Sequence, residues 1–119
     1  MKVLVVDDSR AMRMIVRRAI RQAGFDAEVI EASNGAEGLD AVREHAPNVV
    51  LSDWNMPEMN GLEFLKALRA SGSQVAFGFV TSETTLGMVD MAYEAGALFL
   101  VSKPFTPTDL SDALGKVPV

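Results

Sequence analysis

Five times along the chain a short apolar run, mostly rich in β-branched residues, gives way to a longer segment whose apolar residues recur at helical spacing. This alternation constrains the fold more than any other feature. Strands covered on both faces read as unbroken apolar runs, and parallel neighbours need a helical crossover between them. The strand cores fall at Val3–Val6, Glu28–Ile30, Val49–Leu51, Val75–Val80 and Leu98–Val101, and helices are expected over Ser9–Ala23, Asn34–Glu44, Gly61–Ala70, Thr84–Glu94 and Pro107–Leu114. Asn34 with Glu37, and Asn60 with Glu63, have the spacing of an N-cap and a carboxylate that reaches back, while Thr106 precedes a proline at a first helical position. Gly24, Gly72 and Gly96 stand where three helices should stop. The pattern predicts an α/β fold of (βα)5 order in one domain, residues 1–119, built on a parallel five-stranded sheet.

Such a sheet brings the carboxyl ends of its strands to one edge, where open α/β folds place their ligands. The residues arriving there are Asp7 and Asp8 after the first strand, Asp53 after the third, Thr81 and Ser82 after the fourth, and Lys103 after the fifth. Composition narrows what they can do. The chain has no cysteine and one histidine, His45, which removes thiolate and iron–sulfur chemistry and nearly excludes zinc sites and Ser-His-Asp triads. A net charge of −5 and a pI near 4.7 have the wrong sign for binding nucleic acid through the bulk field. The apolar run Val3–Val6 is too short for a signal peptide or a membrane span, so a cytoplasmic protein without nucleic-acid or membrane partners is expected.

Three neighbouring aspartates repel one another, and a hard divalent cation among them relieves that repulsion. Oxygen-only ligands favour Mg²⁺, or Mn²⁺, with Mg²⁺ octahedral at about 2.1 Å. Lys103 as a point charge and Thr81 as a hydroxyl donor suit the non-metal side of a phosphoryl group. Taken singly, each residue has a plainer reading. Asp7, Asp8 or Thr81 could cap helices, Asp53 could open a turn, and Lys103 could be a solvated loop cation. Taken jointly, four such accidents would have to fall at the ends of four different strands.

VVDDS, LSDWNMPEMNGLEFL, VTSE and SKPF, in this order and spacing, resemble the receiver domains of two-component response regulators of the CheY-like kind, across essentially the whole chain. The resemblance implies a flavodoxin-like, doubly wound sheet in the order 2-1-3-4-5. It implies a single-domain response regulator, not a conventional enzyme, that catalyses its own aspartyl phosphorylation and dephosphorylation. Asp53 would accept a phosphoryl group from a phosphohistidine on a sensor histidine kinase or histidine phosphotransfer protein. Asp7, Asp8, Asp53 and the Asn55 carbonyl would hold Mg²⁺, Thr81 would report the phosphoryl group, and Lys103 would pair with it across a cis Lys-Pro bond. The Asn55 and Glu83 side chains occupy the positions that tune acyl-phosphate hydrolysis. One position departs from the pattern. Three residues before the lysine, where the family carries tyrosine or another aromatic, this chain has Leu100. Phe99 should point to the opposite side of the strand.

Arg10, Arg13, Arg17, Arg18 and Arg21 place a basic stripe on the first helix, read either as a solvated face or as steering, by Arg10 and Arg13, of an acidic partner. Met12, Met14, Met56, Met59, Met88 and Met91 suit gap filling better than a cofactor box, and His45 suits a helix C-terminus. A flavodoxin-like cofactor module would need a phosphate-cradling loop after the first strand, but Asp7-Asp8-Ser9-Arg10 has no glycine and carries the wrong charge. An aspartyl phosphatase would pair nucleophile and acid as Asp-x-Asp, and a receiver-like scaffold would not need the acidic pocket. With nothing after Val119, output is expected through an unknown downstream protein, onward relay, or use as a phosphate sink, by a monomer or weak dimer.

Overall fold

The computed structural model describes residues 1–118. The elements follow one another as β1 (Lys2–Val6), α1 (Arg10–Gln22), β2 (Glu28–Ala32), α2 (Gly35–His45), β3 (Val49–Ser52), α3 (Gly61–Ala70), β4 (Ala76–Thr81), α4 (Leu86–Glu94), β5 (Phe99–Ser102) and α5 (Pro107–Leu114). All strand pairings are parallel, in the order β2-β1-β3-β4-β5. The fold is therefore the expected flavodoxin-like one. Between β1 and β3 the direction of winding reverses.

Alternate strand residues feed two separate cores, as the two-residue period of a strand requires. Val3, Val5, Val49, Leu51, Val80, Phe99 and Val101 pack under α1 and α5, while Leu4, Val6, Val50, Phe77 and Phe79 pack under α2, α3 and α4. Phe99 thus faces away from the side that Leu100 joins, as expected. Gly78 in β4 lies across from Phe99 in the ladder, and a Cβ there would fall inside the Phe99 ring.

Several element ends differ from the sequence reading by one or two residues, each for a local reason. β2 runs on through Glu31 to Ala32 because the Glu31 carboxylate is satisfied by arginines, so a polar residue can occupy this edge strand. β4 and β5 start and end one residue later than their apolar cores, which makes Thr81 the last residue of β4 and fully buried. Neither Asp7, Asp8 nor Thr81 caps a helix. Ser9 caps α1, accepting from the Met12 amide, and Thr85 caps α4, accepting from Met88, so α4 begins at Leu86. Asn60 and Glu63 form the reciprocal capping pair, and Thr106 forms one with Asp109. At α2 only half of it forms. Asn34 accepts from the Glu37 amide, but the Glu37 carboxylate takes the Ser33 amide and hydroxyl instead. Gly24, Gly72 and Gly96 follow their helices at φ of 90°, 91° and 104°, the left-handed geometry that stops a helix.

His45 is the last residue of α2, and its carbonyl accepts from Lys2 Nζ at 3.0 Å. Met56 is buried and Met59 packs against the second core, whereas Met14 and Met91 are exposed. Two glycines test the packing with opposite signs. Gly78→Ala should cost about 1–3 kcal/mol through overpacking against Phe99. Gly87→Ala, in the first turn of α4 with open space around its Cβ position, should add about 0.4–1 kcal/mol by restricting the unfolded chain. Urea unfolding of both variants checks the pair.

Candidate functional site

The winding reversal leaves a crevice at the carboxyl ends of β1 and β3, and backbone bonds carry the chain into it on both sides. The Asp53 amide donates to the Val6 carbonyl at 2.9 Å, and the Asp7 amide donates to Ala32 at 3.1 Å. These two bonds extend the β1–β3 and β1–β2 ladders by one step. The aspartates consequently sit where the sheet holds them, not on free loops. Asp7, Asp8 and Asp53 each present a carboxylate oxygen within 4.8 Å of the others. Asp7 is buried at 4% exposure, Asp53 is half-buried, and Asp8 is open to solvent.

Lys103 reaches the cluster from β5. The Lys103–Pro104 peptide is cis, and the Lys103 amide donates to the Thr81 carbonyl at 2.8 Å. Its Nζ lies 3.3 Å from Asp7 Oδ2 and 3.7 Å from Asp53 Oδ1. The other Asp7 oxygen accepts from the Ser9 amide at 2.9 Å. Asp53 Oδ1 accepts from the Trp54 amide at 2.8 Å. Burial pushes the Asp53 carboxyl above its ordinary range. Lys103 pulls it back, the Asp7 charge pushes it up again, and the Trp54 and Asn55 amides lower it. Thr81 Oγ1 accepts the Glu83 amide at 3.3 Å, and Asn55 and Glu83 are exposed at the rim.

Behind Asp53 the wall is rigid. The Gly61 amide donates to the Trp54 carbonyl at 2.7 Å, and a Cβ on Gly61 would collide with the Asp53 carbonyl oxygen. Only glycine fits at the start of α3, which is the local reason for Asn-Gly after the Pro57 turn. The Trp54 ring leans on Phe79 with centroids 4.8 Å apart, Phe79 meets Phe77 at 5.0 Å, and Phe77 meets Phe64 at 5.4 Å. This aromatic row anchors the loop after Asp53 into the second core.

The structure therefore brings together Asp7, Asp8, Asp53 and Lys103, sets Thr81 at the adjoining end of β4, and leaves the Asn55 side chain outside. Sequence reading named Arg13 as a solvated or steering charge and missed its contact with Asp7. Its Nη1 donates to the Asp7 carbonyl at 2.6 Å, and its Nε meets Glu31 Oε1 at 3.0 Å. Arg13 is thus tied into the scaffold and is not a free steering charge, while Arg10 remains exposed. The signal was present as an acidic residue, Glu31, at the end of the neighbouring strand.

An acidic trio without histidine or cysteine, its carboxylate oxygens within 4.8 Å of one another, fits a hard oxygen-bound cation. Among the described residues no helix is long and apolar enough to cross a membrane.

Comparison with known proteins agrees with this geometry. Residues 3–115 match the family model of the response regulator receiver domain. A chemotaxis protein CheY homolog of Campylobacter jejuni is 41% identical over 120 residues, covering 98% of this chain and 92% of that protein. The solved chemotaxis protein CheY4 of Vibrio cholerae superposes with a TM-score of 0.88 at 35% identity, covering 98% of both chains. A response regulator receiver domain protein from Clostridium thermocellum gives 0.85 at 29% identity, covering 96% of this chain and 90% of that one. With fold, motif order and relatives in agreement over nearly the whole length, the chain belongs to the CheY-like receiver domains of two-component response regulators.

Proposed function

We propose that this chain accepts a phosphoryl group from a phosphohistidine donor onto Asp53 and signals by altering the surface it presents to a partner. The observation that carries this reading is the placing of Lys103 Nζ between Asp7 and Asp53, 3.3 and 3.7 Å from their oxygens, beside the exposed Asp8. A carboxylate oxygen of Asp53 attacks phosphorus as the P–N bond to the donor imidazole breaks, and the bonding pair leaves on that nitrogen. Lys103 would hold one phosphoryl oxygen and the Thr81 hydroxyl, turned toward the site from the end of β4, another, so charge that spreads over the equatorial oxygens would meet these donors. Asp7, Asp8, Asp53 and the Asn55 carbonyl are the groups that would hold Mg²⁺, or Mn²⁺. That ion supplies charge neutralisation on the transferring group. The Trp54 amide holds one Asp53 carboxylate oxygen, and the bonds of the Asp53 amide to Val6 and of the Gly61 amide to the Trp54 carbonyl hold the main chain around it. The donor is a sensor histidine kinase or a histidine phosphotransfer protein. Output passes to a downstream protein, with onward relay or a phosphate sink as the alternative.

Incubation with acetyl phosphate and Mg²⁺ should add one phosphoryl group, read as a single adduct by intact mass. Asp53→Asn should lower the adduct at least tenfold, and equal labelling at another aspartate would refute the assignment.

The protonation of Asp53 gives a stability test with a definite sign. Its folded pKa lies above the ordinary 3.8, so the folded state binds this proton more tightly than the unfolded chain does. The contribution is full below the unfolded value and is lost as pH rises through the folded one. Metal-free Asp53→Asn should therefore gain on the wild type as pH rises from acid to neutral, measured by urea unfolding. A gap that stays constant with pH would count against a strained carboxylate here.

Leu100 bears on how the signal leaves the site. It packs with the second core beside Phe79, and it has neither hydroxyl nor ring edge to show a partner differently. α4 buries only Ala92 among its residues, and Leu86 at its start is 86% exposed. Loosely packed elements are the ones that move at low cost. Amide exchange with a phosphoryl mimic should change most between Thr81 and Tyr93. Changes confined to Phe99–Val101 would overturn this.

A further inference from the structure

We infer that Arg13 is a positioning residue for the paired aspartates, fixing the plane of the Asp7–Asp8 peptide from the first helix; this rests on the reading of Asp7 and Asp8 as metal ligands. The Asp7 main chain is held at both of its peptide groups, with its amide donating to the Ala32 carbonyl at 3.1 Å and its carbonyl accepting from Arg13 Nη1 at 2.6 Å. Because the carbonyl of Asp7 and the amide of Asp8 share one rigid plane, holding that oxygen restricts the direction in which Asp8 leaves the loop. Asp8 needs this restriction. It is exposed, its side chain has no hydrogen bond within the protein among the described residues, and its oxygen must still stay within 4.8 Å of those of Asp7 and Asp53.

The guanidinium is itself preset. Arg13 Nε meets Glu31 Oε1 at 3.0 Å, and Glu31 Oε2 meets Arg17 Nη2 at 2.7 Å. Arg17 Nη2 also donates to the Val29 carbonyl at 3.4 Å. Arg13 and Arg17 are one helical turn apart and grip the two oxygens of one carboxylate on edge strand β2, opposite Val5 in the ladder. The planar fork of arginine can hold a carboxylate and a carbonyl at once, which a point-charge ammonium does less well. The chain of contacts runs from the edge strand through α1 to the peptide between the two aspartates. Arg13 touches no expected phosphoryl oxygen, so its effect passes through Asp7 and Asp8.

The sign of one measurement separates positioning from charge. Arg13 is a cation close to an acidic pocket, and removing it on electrostatic grounds alone should tighten Mg²⁺ binding. Positioning requires the opposite. The test is a Mg²⁺ titration followed by Trp54 fluorescence and, independently, by amide chemical shifts, with urea unfolding of each variant alongside. Arg13→Ala should raise the Mg²⁺ dissociation constant by about tenfold, the scale of losing a group that orients metal ligands. Arg13→Lys, which keeps the charge and replaces the planar fork by an ammonium, should raise it roughly threefold. It also decides the matter if Arg13→Ala does not fold. Unchanged or tighter Mg²⁺ binding in folded variants, with the wild type responding, overturns positioning alone. A wild type that shows no Mg²⁺ response by either probe, like Asp8→Ala, overturns the metal reading and this inference with it.

Discussion

Three carboxylates crowd the point where the sheet reverses its winding, and the rest of the molecule is arranged around making that crowding tolerable. Repulsion among them is opposed inside the protein chiefly by the single Lys103 ammonium, which lies within 4 Å of two of the three. The burden shows in Asp53, whose carboxyl burial pushes above its ordinary range despite that lysine. A fold can carry such a site only if stability comes from elsewhere. Here it comes from two apolar cores, one on each face of the sheet, built from strand residues with almost no exposed surface.

Tolerating the repulsion also means preventing the chain from relaxing away from it. The main chain next to the aspartates is held at several points: Asp53 to Val6, Asp7 to Ala32 and Arg13, Gly61 to Trp54. The collision a Cβ on Gly61 would make with the Asp53 carbonyl shows how closely α3 backs the end of β3. Through Trp54, Phe79, Phe77 and Phe64 that backing continues deep into the second core. Rigidity is therefore concentrated on β1, β3 and α3, the side where the charges meet.

Much of this was legible in the sequence, and the reasons differ by element. The β1 and β3 runs are apolar throughout because both faces are covered, and the residues just past them were identified as Asp7, Asp8 and Asp53 from the topology of parallel sheets alone. The strand order 2-1-3-4-5 came from the family resemblance, since periodicity does not order strands. What escaped were features that depend on partners far along the chain. The end of β2 was read two residues short because Glu31 looks like a loop residue until Arg13 and Arg17 are seen to satisfy it. For the same reason the arginine stripe on α1 reads as a solvated face or a steering surface, although two of its members are structural and Arg10 is exposed. The helix starts shifted because Ser9 and Thr85, adjacent to better-known capping candidates, have the side chains that reach the third amide.

The contrast between the two sides of the site bears on how a local covalent change could travel. β1, β3 and α3 have no spare freedom, so new negative charge at Asp53 cannot be accommodated by moving them. Thr81 and Lys103 lie on the other side, linked to each other by the amide of Lys103 on the carbonyl of Thr81. Beyond Thr81 the chain is exposed from Ser82 to Gly87, and α4 buries only Ala92 fully, with Met88 packed part-buried against the second core. On the proposed reading, a displacement that begins at a phosphoryl group on Asp53 meets stiff packing in one direction and a weakly held helix in the other. Leu100 reinforces this direction, because an aliphatic side chain in the second core can follow a shift of its neighbours without itself carrying a new hydrogen bond to the surface. The site is rigid where it must assemble charge and compliant where it must report it, and the boundary between the two runs along β4.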